Sequence, residues 1–408
     1  MHRSTWLVGF AAACLAGSQL WSQDWPQFRG ANRDDKSTET GLLAEWPKDG
    51  PPKLWSVNGL GEGYTAISAK DGRIYTMGTS QGKEAVFALD FKTGQILWTS
   101  ISDDRVFEET RGNGPRCTPT TDDKYLYTEG AYGTVCCWEA ETGKLVWKVS
   151  LTKDLGGRVP NWGYTESPLV LGKALIVTPG GGKGAIAALD KKTGQVIWQS
   201  KEVRTPAAYS SCIFATIGGQ KQIINGLAKR LVSVDAETGK YLWDYTEPCP
   251  EIYITMPIEH DGMVFATADY NKGSGVVKVT PQGAEQVWYD KSFGNHHGGV
   301  VLVGEYLYGF FDDMRCVEMK TGKVVWQNRS VGKGSLTYAD GHFYCLGENH
   351  VAALVEATPD GYKETGRFKV TGSKRPSWPH PVVVGGRLFI RDQDTLNCWD
   401  VKAKETGN

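Results

Sequence analysis

Along most of the chain, apolar and polar residues alternate in short runs broken by glycine-containing turns. Alternation with a period of two predicts strands that bury one face. The runs also come in sets. Ala88-Leu89-Asp90-Phe91-Lys92-Thr93-Gly94-Gln95-Ile96-Leu97-Trp98 returns as Ala188-Leu189-Asp190-Lys191-Lys192-Thr193-Gly194-Gln195-Val196-Ile197-Trp198. The same frame ends at Trp147, Trp243 and Trp326, more loosely at Trp288, and once with Phe368 standing for Trp. In the strong copies a strand closes on a Lys-Thr-Gly turn, where Gly supplies a positive φ, and the next strand alternates up to its aromatic residue.

Taking that aromatic as a counter gives Trp55, Trp98, Trp147, Trp198, Trp243, Trp288, Trp326 and Phe368, at intervals of 38 to 51 residues. Each interval has room for four short strands and their turns. A strand-built repeat of this length predicts an all-β fold, a β-propeller of four-stranded antiparallel blades. Three further strands are expected around residues 381–384, 388–391 and 396–400, without a Trp to close them, while Trp55 comes too early to have three strands before it. The economical reading is that Lys53–Val57 pairs as the outer strand of the last blade, so that no innermost edge stays unpaired. Eight blades result, with seven as the fallback. The repeated Trp residues are structural anchors that fill the gap between sheets.

The formal net charge of -1 gives no basis for a nucleic-acid partner or a charged membrane surface. The unbroken repeat overrides the two or three domains that 408 residues would otherwise suggest. Residues 1–18 fall outside the repeat: Met1-His2-Arg3 is basic, residues 6–16 are apolar, and Ala16-Gly17-Ser18 offers small residues for cleavage. This predicts a secretory signal, hence an exported, periplasmic or cell-envelope protein, with plain cleavage favoured over a lipid anchor at Cys14. Residues 19–50 then form an N-terminal extension and 51–408 the propeller, with no membrane span and a monomeric state expected.

Of the nine cysteines, Cys137, Cys316 and Cys398 share the repeat slot of Ala88, Ala188 and Ser233, which calls for a small side chain. The neighbours Cys136 and Cys137 sit in a predicted strand, where successive side chains point to opposite faces, so they read as packing residues.

The innermost strand of each propeller blade lines the channel, and the loops leading into it form one mouth together with the loops after the second strand. Several of these stretches break the small or apolar pattern of the repeat. They supply Arg116 in the second blade; Asn161, Trp162, Tyr164 and Glu166 in the third; and Tyr209 and Ser211 in the fourth. Asn295, His296 and His297 stand in the sixth, Lys333 and Ser335 in the seventh, and Trp378, His380, Arg391, Asp392 and Asp394 in the eighth. Residues that break a repeat at equivalent places facing one mouth predict a binding surface. Within it, His296 and His297 diverge as strand neighbours and read as structural histidines rather than a metal pair. Asp392 and Asp394 have the spacing to share a hard cation, or are simply turn residues. Arg116 and Arg391 suit a carboxylate or a nearby acidic side chain, and the mouth aromatics suit a flat ring or a sugar. No catalytic residue is assigned.

The frame Ala-x-Asp-x-x-Thr-Gly-x-x-x-Trp resembles the tryptophan-docking motif of quinoprotein dehydrogenases that use pyrroloquinoline quinone (PQQ). It is shared by the non-enzymatic propeller of the outer-membrane assembly factor BamB. The run Asp24-Trp25-Pro26-Gln27-Phe28-Arg29-Gly30 and the mouth segments also resemble exported PQQ-like repeat proteins of planctomycete-type bacteria. The resemblance implies an eight-bladed exported propeller. The leading expectation is a non-enzymatic, BamB-like scaffold that binds a protein or peptide at the mouth. The alternative is a dehydrogenase of alcohols or sugars with PQQ and Ca²⁺, for which Glu166, Asn295 and Asp392 match the expected metal ligands by type. A small molecule or glycan at the mouth is the third.

Overall fold

The computed structural model describes residues 24–404, so the expected signal segment lies outside the described residues. Within them the chain forms 32 strands and no helix. The strands make eight separate four-stranded antiparallel sheets, seven of them simple meanders. Blade 1 spans residues 68–103, blade 2 120–150, blade 3 169–199 and blade 4 213–245; blades 5, 6 and 7 span 258–290, 300–328 and 334–369. Blade 8 takes three strands from residues 382–400 and its outer strand from Lys53–Val57, as the early Trp55 required.

The core is divided among the seams of the ring. Eight clusters of buried apolar side chains each join residues of two neighbouring blades, from Ile74 with Phe389 across the closure to Tyr344 with Leu388 before it. A blade therefore buries both faces against neighbours, and closure leaves no sheet face to solvent.

Local chemistry explains why each seam looks alike at the rim. Asp90 Oδ1 accepts the Thr93 N–H at 2.8 Å and the Thr93 hydroxyl at 2.7 Å, and Asp235 does the same for Thr238 at 2.7 and 2.6 Å. This local turn bonding suits Asp before a tight turn. A register shift just before the turn, between Ala88 and Leu89 in blade 1, places Trp98 opposite the small Ala88. Cys137, Ala188, Ser233 and Cys316 face Trp147, Trp198, Trp243 and Trp326 in the same way. The next blade's turn then lies on the Trp. A Cβ on Gly143 would stand 2.5 Å from the Trp98 ring and one on Gly239 2.3 Å from Trp198, with φ of +71° at both. Only glycine fits such a contact. The Trp147 and Trp288 indoles add N–H bonds to the Lys191 and Met319 carbonyls of the following blade, at 3.1 and 2.8 Å.

Blade 7 corrects the expected aromatic count. Its register sets Gly366, not Phe368, opposite Leu354 at the shift, so Gly366 holds the position that Trp holds elsewhere. The ring comes instead from the N-terminal extension. Trp46 Cβ lies where a Gly366 side chain would go, and its ring is 5.7 Å from Tyr344, as Trp98 is 6.1 Å from Tyr75 in blade 1. Phe368 packs two residues further on, 5.3 Å from Trp46. The insertion in this repeat shifted the aromatic by one strand period, and a glycine made room for an indole from elsewhere. All eight cysteines of the described residues are buried free thiols, Cys136 and Cys137 among them.

Candidate functional site

The extension also closes the channel from below. Trp25 exchanges two 2.8 Å backbone bonds with Ala69 of blade 1, and Thr121 of blade 2 donates to the Pro26 carbonyl. Arg33 is buried and donates to the carbonyls of Ser167, Pro168 and Cys212 at the starts of blades 3 and 4. Phe28 packs on the apolar cluster shared by blades 4 and 5, and Arg29 Nη2 donates to Val300 O of blade 6. The Asp35 carbonyl accepts Tyr338 N of blade 7, Ser37 N donates back to Tyr338 O, and the Asp35 carboxylate meets His380 Nδ1 of blade 8 at 3.0 Å. Residues 24–37 thus bind the inner strands all the way around the ring. Burying two arginines this way demands that nearly every N–H find an acceptor, and backbone carbonyls at blade starts supply them.

Above this floor lies a funnel of about 170 Å³. Its bottom is formed by Phe28, Arg29, Gly299 and His380. Tyr64 and Trp378 pack on one wall with centroids 4.3 Å apart and planes tilted by 32°, while Trp162 and Tyr209 form another pair at 5.5 Å. Arg111 caps Trp162 at 5.4 Å from the ring, a cation–π contact. Tyr270 completes the rim. It has a φ of +63°, unusual for an aromatic residue, and its hydroxyl meets His296 Nε2 at 2.8 Å.

The two adjacent histidines do both face the funnel, their Nδ1 atoms 2.8 Å apart. One of those nitrogens must carry the proton between them. Burial, followed by Lys333, pushes the His296 imidazole down to about 4, and burial holds His297 well below the usual histidine range. Both are neutral at physiological pH, so the funnel wall presents polar but uncharged rings here.

Of the residues expected at the mouth, Arg116, Trp162, Tyr209, Ser211, His296, His297, Trp378 and His380 line the funnel. The rest serve the walls behind it or the outer rim. Tyr164 is buried with its hydroxyl on Pro179 O at 2.8 Å, and Ser335 donates to Pro379 O at 3.3 Å. Asn161 is exposed beside Trp162, and Lys333 pairs with Asp269 at 3.5 Å. Arg391 is buried and spends Nη2 on the Leu60 and Gly61 carbonyls, its pKa pushed down to about 9 by burial. Asp394 accepts the Gly59 and Gly61 N–H groups at 3.0 and 2.7 Å. Together these two fix the loop that leads from the outer strand of blade 8 into blade 1.

The three residues matching PQQ-associated calcium ligands by type are not brought together. Glu166 accepts Thr178 Oγ1 and Cys212 N behind the wall, and burial raises its pKa to about 7. Asn295 donates to the Gly299 and Phe310 carbonyls, and Asp392 holds Ser373 and faces His350 at 3.2 Å. They stand in blade regions 3, 6 and 8 and none lines the funnel. Among the described residues no three His, Cys, Asp or Glu side chains converge on a metal position. The donor set therefore does not fit a Ca²⁺–PQQ pair. Sequence reasoning missed Phe28, Arg29, Tyr64, Arg111 and Tyr270. The aromatic run at residues 24–30, lying outside the repeat, was the available signal for the first two.

A family model described as the outer membrane protein assembly factor BamB (PQQ_2) matches residues 82–328, more than half of the chain. The chain belongs to this family. BamB of Shewanella oneidensis is 23% identical over 240 residues, covering 55% of this chain and 59% of that protein. The quinohemoprotein alcohol dehydrogenase ADH-IIG of Pseudomonas putida is 26% identical over 329 residues, 70% of this chain and 44% of that enzyme. The chain thus spans about half the length of the curated relatives it matches. In structure, BamB of Moraxella catarrhalis superposes with a TM-score of 0.62 at 15% identity, over 87% of this chain and 99% of that one. A quinohemoprotein alcohol dehydrogenase of Comamonas testosteroni gives 0.66 at 14%, over 95% of this chain and 82% of that one. At such identities these likenesses show the shared propeller alone.

Proposed function

We propose that this BamB-family propeller is an exported, non-enzymatic binding scaffold of the cell envelope that engages a protein or peptide partner at the mouth of its funnel. The observation that carries the reading is the funnel itself. It is sealed below by the chain's own extension, walled by paired aromatic rings, and lined by buried polar groups most of which are committed to structural bonds. Such a pocket suits holding a side chain or chain end rather than positioning an acid, a base and a metal for reaction.

The test is partner capture from envelope extracts by the unaltered protein and by a Trp162→Ala, Tyr209→Ala variant. A reproducibly enriched partner should be lost from the variant while its melting temperature stays within a few degrees. Retention of the same partners by the variant would reject the mouth as the site. The dehydrogenase relatives motivate a second assay, dye reduction with added PQQ and Ca²⁺ over an alcohol and aldose panel. Turnover there would replace the scaffold reading.

A further inference from the structure

Two buried nitrogen atoms on funnel-lining side chains have no hydrogen-bond partner: Arg29 Nη1 and His297 Nε2. His297 Nε2 already faces a carboxylate, Glu348 Oε1 at 3.5 Å. Arg29 is different. Its Nε is bonded to Asp35 Oδ2 and its Nη2 to Val300 O, both at 2.5 Å, while the residue is only 2% exposed. A buried, charged donor left unmet costs more than a neutral one, so an acceptor is expected there.

The floor is also kept open over this group. Gly299, with φ +70°, borders the funnel, and a Cβ there would stand 2.8 Å from His380 Cε1, 3.3 Å from Asp35 Oδ2 and 3.7 Å from Arg29 Cζ. Any other residue would press its side chain onto His380 and Asp35 and bring it into contact with the guanidinium. Asp35, shared by Arg29 and His380, holds both groups at the floor. The aromatic pairs above give the space two flat, largely apolar sides, with the His296 and His297 rings on another.

We propose that the funnel floor is a carboxylate-binding site, in which Arg29 Nη1 donates to the carboxylate of a ligand whose flat, apolar body stacks between the aromatic walls. This rests on the scaffold reading and names the chemistry it would recognise: an aromatic group joined to a carboxylate, from a peptide end or a free aromatic acid. A doubly charged phosphate suits the site less, because Asp35 already lies against the same guanidinium. A neutral ring would fill the walls but leave Nη1 unmet, which is the cost that discriminates.

The test uses the mature chain and four probes, read by tryptophan fluorescence and calorimetry: benzoate against benzyl alcohol, and acetyl-Gly-Phe against its C-terminal amide. The acid of at least one pair should bind tenfold or more tighter than its neutral partner, and Arg29→Lys should abolish that preference. Lysine keeps a cation beside Asp35 but withdraws Nη1. Acid selectivity confined to benzoate assigns a free acid as the source, and selectivity confined to the peptide assigns a chain end. Equal binding within both pairs, no binding of either acid at millimolar concentration, or selectivity that survives Arg29→Lys would overturn the proposal. If Arg29→Lys does not fold, the acid-to-neutral ratio on the unaltered protein decides alone. Partner capture that is lost in the Trp162→Ala, Tyr209→Ala variant, with no acid preference, would remove the carboxylate site and leave the scaffold reading standing.

Discussion

At the rim, the turn of one blade lies on the Trp of the blade before it in the same way at five seams, Gly94 on Trp55 through Gly322 on Trp288. At the channel, equivalent second-strand positions carry Met77, Glu129, Thr178, Thr267, Phe310 and Arg391, and no seam repeats the next. The rim solves one packing problem over and over, so one sequence frame suffices. Each channel position meets a different neighbour, because a single, non-repeating segment crosses the floor and touches every blade differently. Buried charge is concentrated in the same place: Arg29, Arg33, Asp35, Glu129, Glu166 and Arg391 are buried around the channel, while Glu84 and Asp103 are buried on the third and outer strands of blade 1. Uniform seams hold the ring together, and irregular ones make it a particular protein.

That contrast is sharpened most by removing a rim anchor. Trp198→Ala should lower the unfolding free energy by about 3–5 kcal/mol, the usual cost of truncating a packed aromatic, and should act across a seam by freeing the Gly239 turn. Denaturant unfolding measures it. A loss below about 1 kcal/mol would show that the seam does not depend on the indole.

Next comes pH. Burial raises the Glu84 carboxyl from its ordinary 4.5 to about 7. The unfolded chain releases this proton first, so the group's contribution to stability is intact below pH 4.5 and declines as pH rises to about 7. The full decline is about 3 kcal/mol. Glu84→Gln should remove that decline, so the difference in unfolding free energy between pH 4.5 and pH 8 should change by up to this amount. An identical pH profile for both proteins would place the buried acids outside the stability balance. His296, with its pKa lowered to about 4, acts in the opposite sense: stability rises with pH between about 4 and 6.5.

Gly239→Ala is a smaller rim perturbation. It joins a left-handed φ of +71° to a Cβ only 2.3 Å from the Trp198 ring, and a loss of about 1–3 kcal/mol is expected from strain and displacement. The smallest effect should come from the channel mouth. Trp162→Ala, half-buried and in a loop, should change stability by no more than about 0.5–1 kcal/mol while abolishing partner capture. A large stability loss there would make the funnel wall part of the framework.

The closing aromatics show how far the repeat can be read. Trp55, Trp98, Trp147, Trp198, Trp243, Trp288 and Trp326 were placed from spacing alone, because a turn, a bulge and a strand of fixed length leave one position for the ring. Phe368 was misplaced because an insertion decouples spacing from register, and register is set by which residues pair across strands. Trp46 could not be found at all from its neighbours, since the glycine that admits it stands more than three hundred residues away. The mouth was legible in part. Arg116, Trp162, Tyr209, His296 and Trp378 stood out as breaks in the pattern, yet Glu166, Asn295 and Asp392 broke it equally and serve the walls. A departure from the repeat marks a special contact without saying whether that contact is with protein or ligand.

By itself, the sequence determined the blade, the number of blades and the strand that closes the ring, because these follow from local turn chemistry and a period that any reader can count. Only the tertiary structure decided that the extension seals the channel, that a distant indole completes blade 7, and that Arg29 presents an unmet donor beneath paired aromatic rings. Those features arise where side chains far apart in sequence compete for the same buried space, and no local pattern encodes that competition.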